Sequence, residues 1–220
     1  MKRKSILLYC GIFSSFLYIL TDIVSVAIWS DYCYTSQTVS ELIAIDSPIR
    51  TFVVICFIIY AFLIYAFGIG IWFTVAEKRS LKIAAIFIIG KEILGLAITL
   101  FFPIHLRGVE GNYSDIMHGI LTAVGVFLFM FPAMIAGTVA FKGIFRYYSI
   151  VTMTLFIVFG ILAGALQPQY IANLPTPMMG IWERINIYGY MLWIVIFSIK
   201  LLKSLKNLNT ELNHHKGGIP

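Results

Sequence analysis

The chain has 220 residues, of which 60% are hydrophobic and only 12% charged, and its mean hydropathy is +0.92. A water-soluble domain is about half apolar and a quarter charged, so water is excluded as the main solvent of this protein. The formal net charge of +6 sits in clusters between apolar runs, a pattern that reads as membrane orientation and excludes nucleic acid as the natural partner.

A membrane-spanning helix uses roughly 20 apolar residues, and runs near that length fall at 5–29, 51–75, 81–102, 116–141, 149–166 and 185–202. Backbone polar groups in lipid must be satisfied within their own segment, so these runs are predicted to be helices. The expected fold class is all-α, an integral membrane bundle of six transmembrane helices. The expected organisation is one domain over 1–204 followed by a cytoplasmic tail over 205–220.

The first run follows Lys2, Arg3 and Lys4 and contains Asp22. It is long for a signal-peptide core and lacks a small-x-small cleavage site, so it is read as a retained helix. Ser15, Tyr18, Asp22, Ser25 and Trp29 recur at spacings of three and four, which places a polar stripe on one helix face. At 1.5 Å per residue, Asp22 lies about 27 Å from Lys4, near the far boundary of the hydrocarbon core. In the first connection, Thr38-Val39-Ser40-Glu41 has the form of a capping box, in which Glu41 caps a short interfacial helix. Cys10, Cys33 and Cys56 form no C-x-x-C, which argues against a disulfide framework or a redox centre.

On the third run Lys91 and Glu92 lie near mid-depth. Neighbouring residues point about 100° apart, so each is expected to find its partner on another helix, with Tyr60, Tyr65 and Tyr190 at suitable depth. A structural clamp is preferred over a proton relay, because no further acids or histidines continue toward the cytoplasm. The fourth run opens with Asp115, His118 and Thr122 on one face, Ser114 and Asp115 having the chemistry of helix caps. Phe131-Pro132 within this run is a candidate kink. Gly160-x-x-x-Gly164 on the fifth run permits close helix contact, within the bundle or in a homo-oligomer. The sixth run opens with Glu183, Arg184 and Asn186, and Tyr188 and Tyr190 follow. Beyond it, Leu201, Leu202, Leu205, Leu208 and Leu212 among lysines form a stripe suited to the anionic leaflet surface.

Lys and Arg set the orientation. Basic groups concentrate at the amino terminus, in the second connection (Lys78, Arg79), in the fourth (Lys142, Arg146) and in the tail (Lys200, Lys203, Lys206, Lys216). The other three connections carry one arginine each, Arg50, Arg107 and Arg184. By the positive-inside rule both termini are expected to be cytoplasmic.

Ionisable groups in lipid are costly and are functional candidates by default. Polar faces from the first, fourth and sixth helices converge near the outer boundary, where a pocket is expected. The ligand-binding candidates are Arg184, Ser40, Glu41, Asp22, His118, Glu183 and Asn186. Arg184 would meet an anionic head group of a lipid or small amphiphile. For catalysis the candidates are His118 as base with Asp22 or Glu183 orienting it, which makes a lipid hydrolase or transferase the alternative reading. A small-solute transporter using Lys91 and Glu92 is the third. No P-loop, H-E-x-x-H or G-x-S-x-G is present, and neither a cofactor nor a metal is expected.

Ser36-Gln37-Thr38-Val39-Ser40-Glu41-Leu42, Phe102-Pro103, His118-Gly119 and Trp182-Glu183-Arg184-Ile185 together resemble the bacterial and archaeal membrane family called domain of unknown function 998. The resemblance covers nearly the whole chain, and the Ser-Gln-Thr-x-Ser-Glu-Leu segment is its most specific part. It departs at His105, where the family pattern often has an Asp. The resemblance implies six helices, marks Ser40, Glu41, His118, Glu183 and Arg184 as family-typical positions, and supplies no reaction. A more distant similarity to the six-helix Frag1/DRAM/Sfk1 group, linked to lipid remodelling and distribution, points toward lipids.

Overall fold

A computed structural model describes residues 2–74 and 78–217, and their side chains apart from those of 2, 3, 209 and 211–217. Val75 at the end of the second run, residues 218–220 of the tail, and the side chains of Lys2, Arg3, Leu212 and Lys216 lie outside that description.

Six helices are long and apolar enough to cross a membrane. They are α1 (Lys2–Ile28), α3 (Arg50–Thr74), α4 (Arg79–Phe101), a composite fourth span, α7 (Ile144–Ala165) and α9 (Met179–Gly217). The fourth span joins α5 (Tyr113–Val124) to α6 (Phe131–Ala140) through a π-helical segment, Gly125–Met130. Two short helices, α2 (Val39–Leu42) and α8 (Gln167–Ile171), lie in the first and fifth connections. The first four predicted runs match their helices to within a few residues. The fifth helix begins five residues before its run, at Ile144, and the sixth begins at Met179 and continues far beyond residue 202.

The helices form a closed ring. α1 packs on α3 and α9, α3 on α4, α4 on the fourth span, α6 on α7, and α7 on α9. The fourth span closes this ring unevenly. Its α6 half packs on both α4 and α7, whereas its α5 half packs on α4 and the π segment and meets neither α7 nor α9 to a comparable extent among the described residues. The irregularity has a local cause: Pro132 has no N–H to offer the carbonyl four residues earlier, and a wider turn accommodates the missing bond.

The end of the bundle away from α2 is closed by aromatic packing. Trp193, Phe197, Phe145 and Phe67 are all fully buried, and Trp193 stacks on Phe197 at 4.8 Å between ring centroids. The Trp193 indole donates to Ser149 Oγ at 2.8 Å, which satisfies the one polar atom of that cluster's largest ring. α9 stays in this core far along its length, since Leu201 and Leu205 are buried with it while Leu208 is exposed. Leu201 and Leu205 of the predicted surface stripe therefore pack inside the bundle.

Glycine spacing separates two faces. A Cβ on Gly70 would lie 2.8 Å from Leu7 Cβ and 3.1 Å from its backbone carbon, so α1 and α3 touch closely there. Gly160 and Gly164 are exposed, with only Asn186 Nδ2 at 3.7 Å from a Cβ on the first and nothing within 4 Å of the second. The Gly-x-x-x-Gly pair thus makes no tight contact among the described residues. Gly70→Ala should lower the apparent melting temperature in detergent by several degrees, an overpacking cost of about 1–3 kcal/mol. Gly164→Ala should leave it unchanged, and equal effects would contradict this packing.

Candidate functional site

The polar residues near the α2 end form two layers. The layer nearest the end is built on two arginines that hold the connection between α1 and α3. Arg184, one turn into α9, donates to Asp22 of α1 through Nε at 2.8 Å and Nη2 at 2.9 Å. Its remaining donors reach Tyr32 Oη at 2.7 Å, the carbonyls of Tyr34 and Gln37 at 2.9 Å each, and that of Gly180 at 3.2 Å. The guanidinium lies 4.0 Å from the Tyr34 ring centroid, and Tyr188 also donates to Asp22. Both members of the pair are buried, at 2% exposure for Arg184 and 1% for Asp22. Gly180 is required beside them, because a Cβ there would fall 2.2 Å from the Gln37 carbonyl oxygen.

Arg107 does the same for Glu41. Its Nε and Nη2 donate to the Glu41 carboxylate at 2.9 to 3.2 Å, while Nη2 also reaches the Ser36 carbonyl at 2.6 Å. Glu41 in turn accepts from the Thr38 backbone N–H at 3.0 Å, which is one half of the predicted capping box. Burial pushes the Tyr32 phenol up; it therefore stays protonated and donates to the Thr38 carbonyl at 2.6 Å. On the exposed side of the same connection, hydrogen bonds from Ser36 and Thr35 pull the Cys33 thiol down to about 7.

The second layer, deeper in the bundle, is a cavity of about 280 Å³. α2 and the residue that follows it close it with Val39, Ser40 and Ile43, and α1 and α3 supply Tyr18, Phe57 and Tyr60. Lys91, Glu92 and Thr99 come from α4, His118 and Thr122 from α5, and Glu183, Asn186 and Tyr190 from α9. From Glu183 to Tyr190 the lining descends about 10 Å along α9. Glu183 accepts from the Val39 backbone N–H and from Ser40 Oγ, the latter at 3.3 Å. His118 Nδ1 is 2.8 Å from the Phe102 carbonyl, which can only accept, so the proton of a neutral ring sits on Nδ1. Its Nε2 then faces Ser40 Oγ at 3.2 Å.

Two buried hydroxyls in this lining, those of Tyr60 and Tyr190, have no hydrogen-bond partner among the described residues, nor does Asn186 Oδ1. Buried polar atoms are normally paired, and three of the orphans gather around this one cavity.

The seven candidate ligand residues therefore divide. Ser40, His118, Glu183 and Asn186 line the cavity, whereas Asp22, Arg184 and Glu41 lie in the saturated layer outside it. Asp115, a capping candidate, closes the N-terminus of α5 by accepting from the Asn112 backbone N–H at 2.8 Å, with Asn112 itself as the cap residue. His105 pairs with Asp115 at 2.8 Å. Lys91 and Glu92 correct a sequence expectation, because they pair with each other at 3.3 Å. Their Cβ bonds diverge, but the flexible lysine stem bends back, and its ammonium also lies 5.2 Å from the Tyr190 ring centroid. Arg107 as the partner of Glu41 was missed altogether, since nothing in the spacing of residues 66 apart announces a contact.

Among the described residues no group of three or more His, Cys, Asp or Glu side chains is placed to hold a metal ion. The family described as Protein of unknown function (DUF998) matches residues 12–200, and the chain belongs to it. No curated protein and no solved structure was found to match.

Removing one partner of a buried ion pair strands the other charge, at about 3–5 kcal/mol. Arg184→Ala and Asp22→Ala should each lower the apparent melting temperature sharply, and the double variant should lose much less than the sum. Tryptophan fluorescence on heating reads this cycle; additive losses would show that the two side chains are not coupled.

Proposed function

We propose that this family member binds a lipid or small amphiphile in the cavity between its spans, close to the outer face of the membrane. The observation that carries the reading is the cavity itself, where orphaned tyrosine hydroxyls and the Ser40, His118, Glu183 and Asn186 side chains share one lining with apolar residues. Its volume is at the lower end of ligand pockets, enough for a head group and the start of a chain. Arg184 has every donor engaged within the protein, so ligand contacts fall to the four cavity residues. The weak packing of α5 against α7 and α9 supports access from the side, out of the lipid. The distribution of Lys and Arg supports cytoplasmic termini, which puts α2 and Cys33 at the exoplasmic end.

A second reading is favoured by one geometry. Ser40 Oγ faces the unprotonated nitrogen of a His118 ring whose orientation is fixed by the Phe102 carbonyl, as a serine nucleophile and its base require. On this reading the bound amphiphile is an ester, and Ser40 attacks its carbonyl while His118 takes the hydroxyl proton and passes it to the leaving alcohol.

Mass spectrometry of purified protein should find co-purified amphiphile that is lost in Thr122→Trp, which fills the cavity. An impermeant maleimide should label Cys33 in intact cells, faster as pH rises through about 7. Unchanged amphiphile content in the filled variant would remove the binding reading. For the second reading, a fluorophosphonate should modify Ser40 in the wild type and not in His118→Ala; no adduct on folded protein would end it.

A further inference from the structure

Charge pairing around the cavity is uneven. Asp22, Glu41 and Glu92 each have a cationic side chain within 3.3 Å, from Arg184, Arg107 and Lys91, and Asp115 has His105 at 2.8 Å. Glu183 sits among them in the cavity lining with no cationic group within 4 Å among the described residues. Hydrogen-bond donors are also short around Glu183. Ser40 has one proton, and two acceptors compete for it, His118 Nε2 at 3.2 Å and Glu183 Oε1 at 3.3 Å. Asn186 Oδ1 is a further buried acceptor with nothing donating to it among the described residues.

We propose that the ligand of this cavity is an amphiphilic amine, an ammonium group carried on an apolar chain; the proposal rests on the pocket reading above and names the chemical class of its ligand. Beside Glu183, a phosphate or carboxylate head would bring more acceptors and a second negative charge. An ammonium brings three donors and the missing positive charge. The walls suit it as well, because Tyr18, Phe57, Tyr60 and Tyr190 line the cavity, and aromatic faces attract ammonium ions. The protein already contains one example of the arrangement: the Lys91 ammonium lies over the Tyr190 ring while pairing with Glu92. Glu183 repeats the carboxylate beside the same aromatic lining without a built-in ammonium.

The test compares dodecylamine, dodecanol and dodecanoate on the full chain in a neutral detergent, with binding read by native mass spectrometry. Dodecylamine is expected to bind at least tenfold more tightly than dodecanoate, the factor that one charge-assisted hydrogen bond supplies. Glu183→Gln should abolish that preference while dodecanol binding stays within twofold. Asn186→Leu, which leaves the contact to Val39 untouched, should weaken amine binding in the same direction and serves as the second variant. Equal or tighter binding of dodecanol or dodecanoate, or an amine preference unchanged in both variants, would overturn the amine assignment and leave the pocket standing. Binding of none of the three would overturn the pocket as well.

Discussion

The bidentate contact between Arg184 and Asp22 decides how the α2 half of this protein is arranged. It ties the last helix to the first, and through its other donors it fixes two carbonyls and a tyrosine of the chain between them. A charge taken out of water has to be matched completely, and here nearly every donor and acceptor of the pair is occupied. That saturation has a structural result: the connection bearing α2 is pinned, so Val39 and Ser40 are held in the cavity lining.

Beneath this saturated layer the rule is relaxed. The cavity lining mixes apolar side chains with polar atoms that compete for too few partners, and the contrast between the layers lies in satisfaction rather than in composition. Low dielectric strengthens a complete network and penalises an incomplete one, so an under-satisfied site held by a fully satisfied frame is suited to accept polar groups from outside. At the other end of the bundle, the Trp193 indole has its one polar atom paired with Ser149.

How much of this was legible in the sequence depended on the range of the interaction. Each span follows from a continuous run of residues and the cost of unpaired backbone in lipid, so the six helices could be read directly. The capping role of Glu41 toward Thr38 was legible for the same reason, being local. Ser40, His118, Glu183 and Asn186 stood out because polar groups near a bilayer demand an explanation. Their division from Asp22 and Arg184 was not visible, since it depends on contacts 162 residues apart. The pairing of Lys91 with Glu92 was missed because helix geometry constrains Cβ directions and leaves a lysine tip free. The extended packing of α9 was hidden by the lysines between Leu201 and Leu208.

The widened turn at Gly125–Met130 governs rotational phase. A π turn holds one more residue than the α turn it replaces, and one residue corresponds to about 100° around a helix axis. α5 is thereby rotated relative to α6, and both faces of a single span meet the protein interior in the orientation each needs. Shortening that segment by one residue would turn His118 by about 100° away from the Phe102 carbonyl and Ser40, while Met134 and Gly137 stayed in the core. The position of His118 is in this sense set by a residue count about two turns away from it.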